Sequence, residues 1–131
     1  MKVVINRCYG GFGLSHKALL RYGEIAGISL TWKARYTRIG ENQEIEPENA
    51  FLTSYYRGKE QTEQNGFFCS DLKRDDPALV QVVEEMGKEA NGPFAQLAVV
   101  ETPDDIQWEI EEYDGIEWVA EKHRTWGHGE E

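Results

Sequence analysis

Basic charge is scarce in this chain. Fourteen Lys and Arg stand against 24 Asp and Glu, a formal net charge of −10 over 131 residues. A general nucleic-acid binder needs surplus cations to neutralise phosphates, so the balance argues against nucleic acid as a partner. Cysteine is equally sparse. Cys8 and Cys69 are too few for a secreted disulfide scaffold and read as reduced thiols of a cytoplasmic protein. No apolar run is long enough to cross a bilayer, so no membrane partner is expected. The first apolar stretch, Val3–Ile5, is broken by Asn6 and Arg7 and is too short for a signal peptide. His16, His123 and His128 form no metal-ligand spacing with one another or with the cysteines, so neither metal nor cofactor is expected.

Apolar residues make up 40% of the chain, enough to bury a core in one domain spanning 1–131, with 127–131 as a frayed tail. Charge is divided along it. Residues 1–40 carry seven basic side chains against Glu24 alone, a balance of +6, so the remainder carries −16. The basic segment either packs beside the acidic one or lines an anion site.

Val3–Ile5 reads as a buried strand. Ser15 is a natural N-cap for a helix running to Ala26, with Gly27 at its C-cap. Residues 28–37 alternate, with Ile28, Leu30, Trp32, Ala34 and Tyr36 on one face and Ser29, Thr31, Lys33, Arg35 and Thr37 on the other. Residues 38–49 read as a loop, 51–56 as a short strand, 57–66 as a solvated loop and Phe67–Cys69 as a short buried strand. Asp76 caps a second helix with Pro77 in its first turn. Leu79, Val82, Val83, Met86 and Ala90 recur at helical spacing, and Asn91-Gly92 ends it. Ala95–Val100 is a further strand.

Residues 106–122 form a hairpin. A two-residue Asp114-Gly115 turn would pair Tyr113 with Ile116 and Glu111 with Trp118. A three-residue turn, Tyr113-Asp114-Gly115, pairs Ile110 with Trp118 and Trp108 with Ala120, so the apolar residues share a face; that register is expected. It leaves Glu109, Glu111, Glu117 and Glu121 on a solvated outer face. The expected class is α+β, a mainly antiparallel mixed sheet of five or six strands with two helices on one face.

Two segments carry candidate chemistry. Gly10, Gly11, Phe12 and Gly13 lie between a strand and a helix N-terminus, where backbone N–H groups favour an anion. No third glycine completes a dinucleotide fingerprint and no Gly-Lys-Ser/Thr completes a P-loop, so a tight turn is the competing reading. Cys8 has no arginine six positions on, Leu14 standing there, which removes phosphatase-like chemistry. His123, Arg124 and Trp126 combine a basic pair with an aromatic ring, suited to a flat anionic ligand; Trp126 as a core plug is the alternative.

The opening Ile-Asn-Arg-Cys-Tyr-Gly-Gly-Phe-Gly-Leu-Ser and the closing Glu-Tyr-Asp-Gly-Ile-Glu-Trp-Val-Ala-Glu-Lys-His-Arg-Thr-Trp resemble a family of small tailed-phage and prophage proteins, and Ala90 through Glu101 fits it too. The family carries no established activity, so the resemblance assigns no catalytic residue. It implies a host cytoplasm and, by analogy of setting, a protein that sequesters a nucleotide immune signal.

The expectation is therefore a binder of a small anionic, nucleotide-derived ligand. Its contacts are Arg7, Gly10, Gly11, Phe12, Gly13, Lys33, Arg35, His123, Arg124 and Trp126. Alternatives are a nucleotide- or nucleic-acid-processing enzyme using Cys8, His123 or a hairpin carboxylate, and an acidic inhibitor of a host protein. Four Trp and eleven Phe and Tyr exceed what two short helices can cover, so a homo-oligomer is expected.

Overall fold

A computed structural model describes residues 1–38, 41–44 and 52–122. The first strand, β1 (Lys2–Asn6), is its innermost element. Val3 and Val4 are fully buried and Ile5 nearly so, as an apolar β-branched run covered on both faces must be. One edge of β1 pairs antiparallel with β6 (Leu97–Glu101), setting Val4 opposite Val99. Among the described residues no strand pairs with its other edge. The Val4 N–H donates to the Arg74 carbonyl at 2.8 Å, and the Asn6 N–H donates to the Glu117 carboxylate at 2.8 Å.

Both helices start where the sequence places them. Helix α1 (His16–Ala26) opens on Ser15, whose hydroxyl accepts from the Ala18 N–H, and closes on Gly27 in the left-handed region. Helix α2 (Pro77–Met86) opens on Asp76, which accepts from the Ala78 N–H, and continues as a 3-10 turn over Gly87–Ala90. Leu14, Ala18, Leu19 and Tyr22 meet Leu79, Val82 and Val83 in the core, with Val4 and Phe67. Arg21 joins the helices on the solvent side by a bidentate pair with Glu85, at 2.9 and 3.0 Å.

Tyr22 is a core residue with a polar end. Its hydroxyl donates to the Asp76 carboxylate at 2.5 Å. Burial, followed by that hydrogen bond and the carboxylate charge, pushes its pKa up to about 12. The unfolded tyrosine ionises near 10, so its contribution is complete below pH 10 and is lost as pH rises towards 12. Denaturant titrations between pH 9 and 12 should show a loss of about 2–3 kcal/mol that is missing from Tyr22→Phe.

The α+β class stands: two helices accompany antiparallel strands, which divide among three small sheets. The largest has the order β3-β2-β4-β5, from β2 (Leu30–Arg38), β3 (Glu41–Glu44), β4 (Leu52–Arg57) and β5 (Gly66–Phe67). Strand β3 falls within the segment expected to be loop. It pairs with the end of β2 from Arg35↔Glu44 to Arg38↔Glu41, a backbone ladder that needs no apolar pattern. Strand β5 is shorter than expected: Phe67 is buried, but Phe68 is 61% exposed and Cys69 begins a 3-10 turn.

The hairpin of β7 (Trp108–Tyr113) and β8 (Ile116–Glu121) takes the two-residue register, not the three-residue one. Tyr113 pairs with Ile116 and Glu111 with Trp118. Asp114 and Gly115 have φ of +53° and +95°, the two positive values that a type I′ turn requires. Shared burial of apolar residues did not decide the pairing, because β8 turns a carboxylate inward. Glu117 lies against β1 and is 8% exposed, while Trp118 is 43% exposed on the outer face. The expectation that Glu117 joins Glu109 and Glu111 outside is thereby corrected. Arg74 supplies the charge that makes the burial tolerable.

Candidate functional site

The strand-to-helix loop is built around Asn6, which is fully buried. Its amide donates to the Cys8 carbonyl at 2.9 Å and the Gly115 carbonyl at 2.7 Å, and accepts from the Gln96 N–H at 2.8 Å. One side chain thus ties β1, the glycine loop, the approach to β6 and the hairpin turn together. Beside it, Arg74 makes two hydrogen bonds to Glu117, the longer at 2.8 Å. The Arg74 guanidinium also lies 3.7 Å from the centre of the Phe12 ring, a stacked cation–π contact. Every buried side-chain nitrogen and oxygen among the described residues has a hydrogen-bond partner.

This arrangement occupies much of the loop from within. A Cβ at Gly115 would stand 2.6 Å from the Gly10 nitrogen and 2.9 Å from the Gly11 nitrogen, so the hairpin turn sits on those amides. Phe12 is committed to Arg74. Arg7 is exposed, and its own N–H bonds the Gln96 carbonyl. Cys8 directs its thiol to the Phe94 carbonyl at 3.2 Å.

The opening lies one step further along the chain. Past Gly13, the Ser15 N–H bonds the Ala90 carbonyl and the Gly92 N–H bonds the Gly13 carbonyl, both at 2.9 Å, which fixes the start of α1 against the end of the second helix. Between that helix start and the inner face of the large sheet is a cleft of about 630 Å³. Its walls are Leu14–Lys17 and Leu19 on one side, Thr53, Tyr55 and Phe67–Cys69 on the other, and Glu89, Asn91 and Pro93 at the end.

Rings dominate the sheet side. Nδ1 of His16 and the hydroxyl of Tyr55 are 2.8 Å apart, their rings stack with centres 5.8 Å apart, and the Trp32 ring meets His16 edge-on at 4.8 Å. Trp32 and Tyr55 face each other across the β2–β4 ladder, so alternation turns Lys33 to the opposite face. Arg35 stands opposite Leu52 on that ladder and opposite Glu44 on the β2–β3 ladder. The cleft lining begins at Leu14, one residue past Gly13; Gly10 and Gly11 lie under the hairpin turn, Phe12 stacks on Arg74, and Lys33 is off the ring-bearing face. His123, Arg124 and Trp126 lie outside the described residues.

No family model, curated protein or solved structure matches this chain. The chemistry must be read from the cleft itself. The first turn of α1 holds no acidic residue and begins His16-Lys17, so its positive end is not offset locally. Cys69 is the cleft's thiol, and burial pushes its pKa up, partly opposed by a backbone hydrogen bond from Leu14. A thiol held protonated is a poor nucleophile. Iodoacetamide at pH 8 should therefore modify Cys69 much more slowly than an unfolded control, as peptide mapping would show. Among the described residues, no group of three His, Cys, Asp or Glu could hold a metal ion.

Sequence reasoning missed Arg74, Glu117 as an inward group, Tyr55 and His16. A signal existed for Glu117: an Asp-Gly two-residue turn favours the register that puts Glu117 opposite Glu112 and off the Trp118 face. None existed for the His16–Tyr55 pair, whose members are 39 positions apart.

Proposed function

We propose that this protein binds a small anionic ligand bearing a flat ring, a nucleotide-derived molecule, in the cleft at the start of α1. The observation that carries the reading is the junction of two features: a ring-lined wall and a helix N-terminus whose first turn is basic. The wall of His16, Tyr55 and Phe68 suits a base or similar planar group. The N-terminal end of the helix dipole, with Lys17, suits its phosphate. Glu89 is the one carboxylate in the lining, at the far end. Burial raises the Cys69 thiol pKa, which argues against thiolate attack on a ligand held here. Sequestration of a nucleotide immune signal by a phage-encoded, cytoplasmic homo-oligomer is the biological form of this proposal, and no cofactor takes part.

A thermal-shift panel of mono-, di- and cyclic nucleotides tests it. A ligand present at a hundredfold its Kd should stabilise the native protein by about 2.7 kcal/mol. Lys17→Glu and Tyr55→Ala should each remove most of that shift. A panel that shifts nothing, or shifts both variants as much as the parent, defeats the reading.

A further inference from the structure

The outer face of the β7–β8 hairpin, apart from the cleft, carries exposed aromatic rings beside carboxylates. Alternation places Glu109, Glu111, Tyr113, Ile116, Trp118 and Ala120 on it. Tyr113 is 70% exposed and Trp118 43% exposed, although both are large aromatic side chains. Their strands pair so that Glu111 is directly opposite Trp118 and Tyr113 is its diagonal neighbour, within reach for aromatic rings. The indole N–H of Trp118 donates to the Glu111 carboxylate at 3.1 Å. That bond holds the ring across the strands with a carboxylate at its edge.

Charge defines what such a face can accept. From residue 89 to residue 121 the chain has ten carboxylates and no Lys or Arg. Two of the ten are matched internally, Glu117 by Arg74 and Asp104 by the N-terminal amine. Glu109 and Glu111 have no ion-pair partner among the described residues. An aromatic face edged by an unmatched carboxylate attracts a cation twice, through the ring quadrupole and through the charge. On an extended sheet face with a two-residue repeat, successive receptors for long cationic side chains follow from the pleat.

We propose that this face docks a Lys/Arg-rich extended segment of a partner protein. Trp118 and Tyr113 provide the platforms, and Glu109 and Glu111 the counter-charges. A partner that normally grips phosphates is the chemistry it fits, since carboxylates spaced along a strand present a comparable row of negative charge.

The test uses the intact protein and a fluorescein-labelled decapeptide of alternating Arg and Ser, read by anisotropy at 50 and 200 mM NaCl. Binding at 50 mM that weakens at 200 mM is expected. Glu109→Gln with Glu111→Gln should weaken it about tenfold, and Trp118→Ala about fivefold. The control is Glu60→Gln with Glu63→Gln, which removes the same charge from an exposed stretch elsewhere and should change affinity less than twofold. Equal weakening by the control pair would reduce the effect to bulk acidity and overturn the proposal. So would an unmodified protein that fails to bind at 50 mM. Far-UV circular dichroism of each variant keeps loss of folding distinct from loss of contact.

Discussion

Glu117→Ala is expected to destabilise the protein by about 3–5 kcal/mol, the largest effect of any single carboxylate here. Glu117 is 8% exposed and holds three donors at once: the Asn6 N–H and two nitrogens of Arg74. Removing it leaves a guanidinium largely buried over Phe12 with no counter-charge, and an orphaned N–H on the edge of the central strand. Against a total stability of roughly 5–15 kcal/mol, that is a large fraction. The melting temperature should fall by about 10–20 °C. Arg74→Ala should lose a similar amount, because it strands the carboxylate instead. The two losses should not add. A double variant no worse than either single one is the expected outcome of a double-mutant cycle. If Glu117→Ala melts within 2–3 °C of the parent, which corresponds to under about 1 kcal/mol, the pair contributes far less than its burial implies.

Gly115→Ala should come second, at about 2–4 kcal/mol. Two penalties combine. A φ of +95° disfavours any side chain by about 1 kcal/mol. The added Cβ would also stand 2.6 and 2.9 Å from the nitrogens of Gly10 and Gly11, backbone atoms that cannot swing aside. Gly27→Ala separates the two. Its φ is +74° but the space around it is open, so it should lose only about 1 kcal/mol. Equal melting temperatures for the two variants would show that the hairpin turn does not press on the glycine loop.

The elements with local signals were legible from the sequence. Ser15 and Gly27 bracket α1, and Asp76 with Pro77 opens α2, because caps depend on neighbours a few residues away. The alternation of β2 placed Trp32 and Lys33 on opposite faces for the same reason. What failed depended on distant partners. The apolar residues of the hairpin favoured a three-residue turn; the Asp114-Gly115 turn carried the contrary signal, and what makes the acidic register tolerable is Arg74, forty-three positions from Glu117. The glycine loop was found as a place of unusual backbone freedom, yet the sequence could not reveal that Gly115 sits on its amides. The cleft itself joins α1 to β4 and β5, and no pattern in the chain brings His16 to Tyr55.

The central claim, that the cleft at the start of α1 holds an anionic planar ligand, is tested most directly by native mass spectrometry of the protein purified from signal-producing cells. The expected result is an oligomer carrying a small molecule that denaturation releases intact. That molecule should contain phosphate and a base, and it should be missing from Lys17→Glu prepared in parallel. A spectrum with no bound small molecule, or the same molecule at the same occupancy in Lys17→Glu, would contradict it.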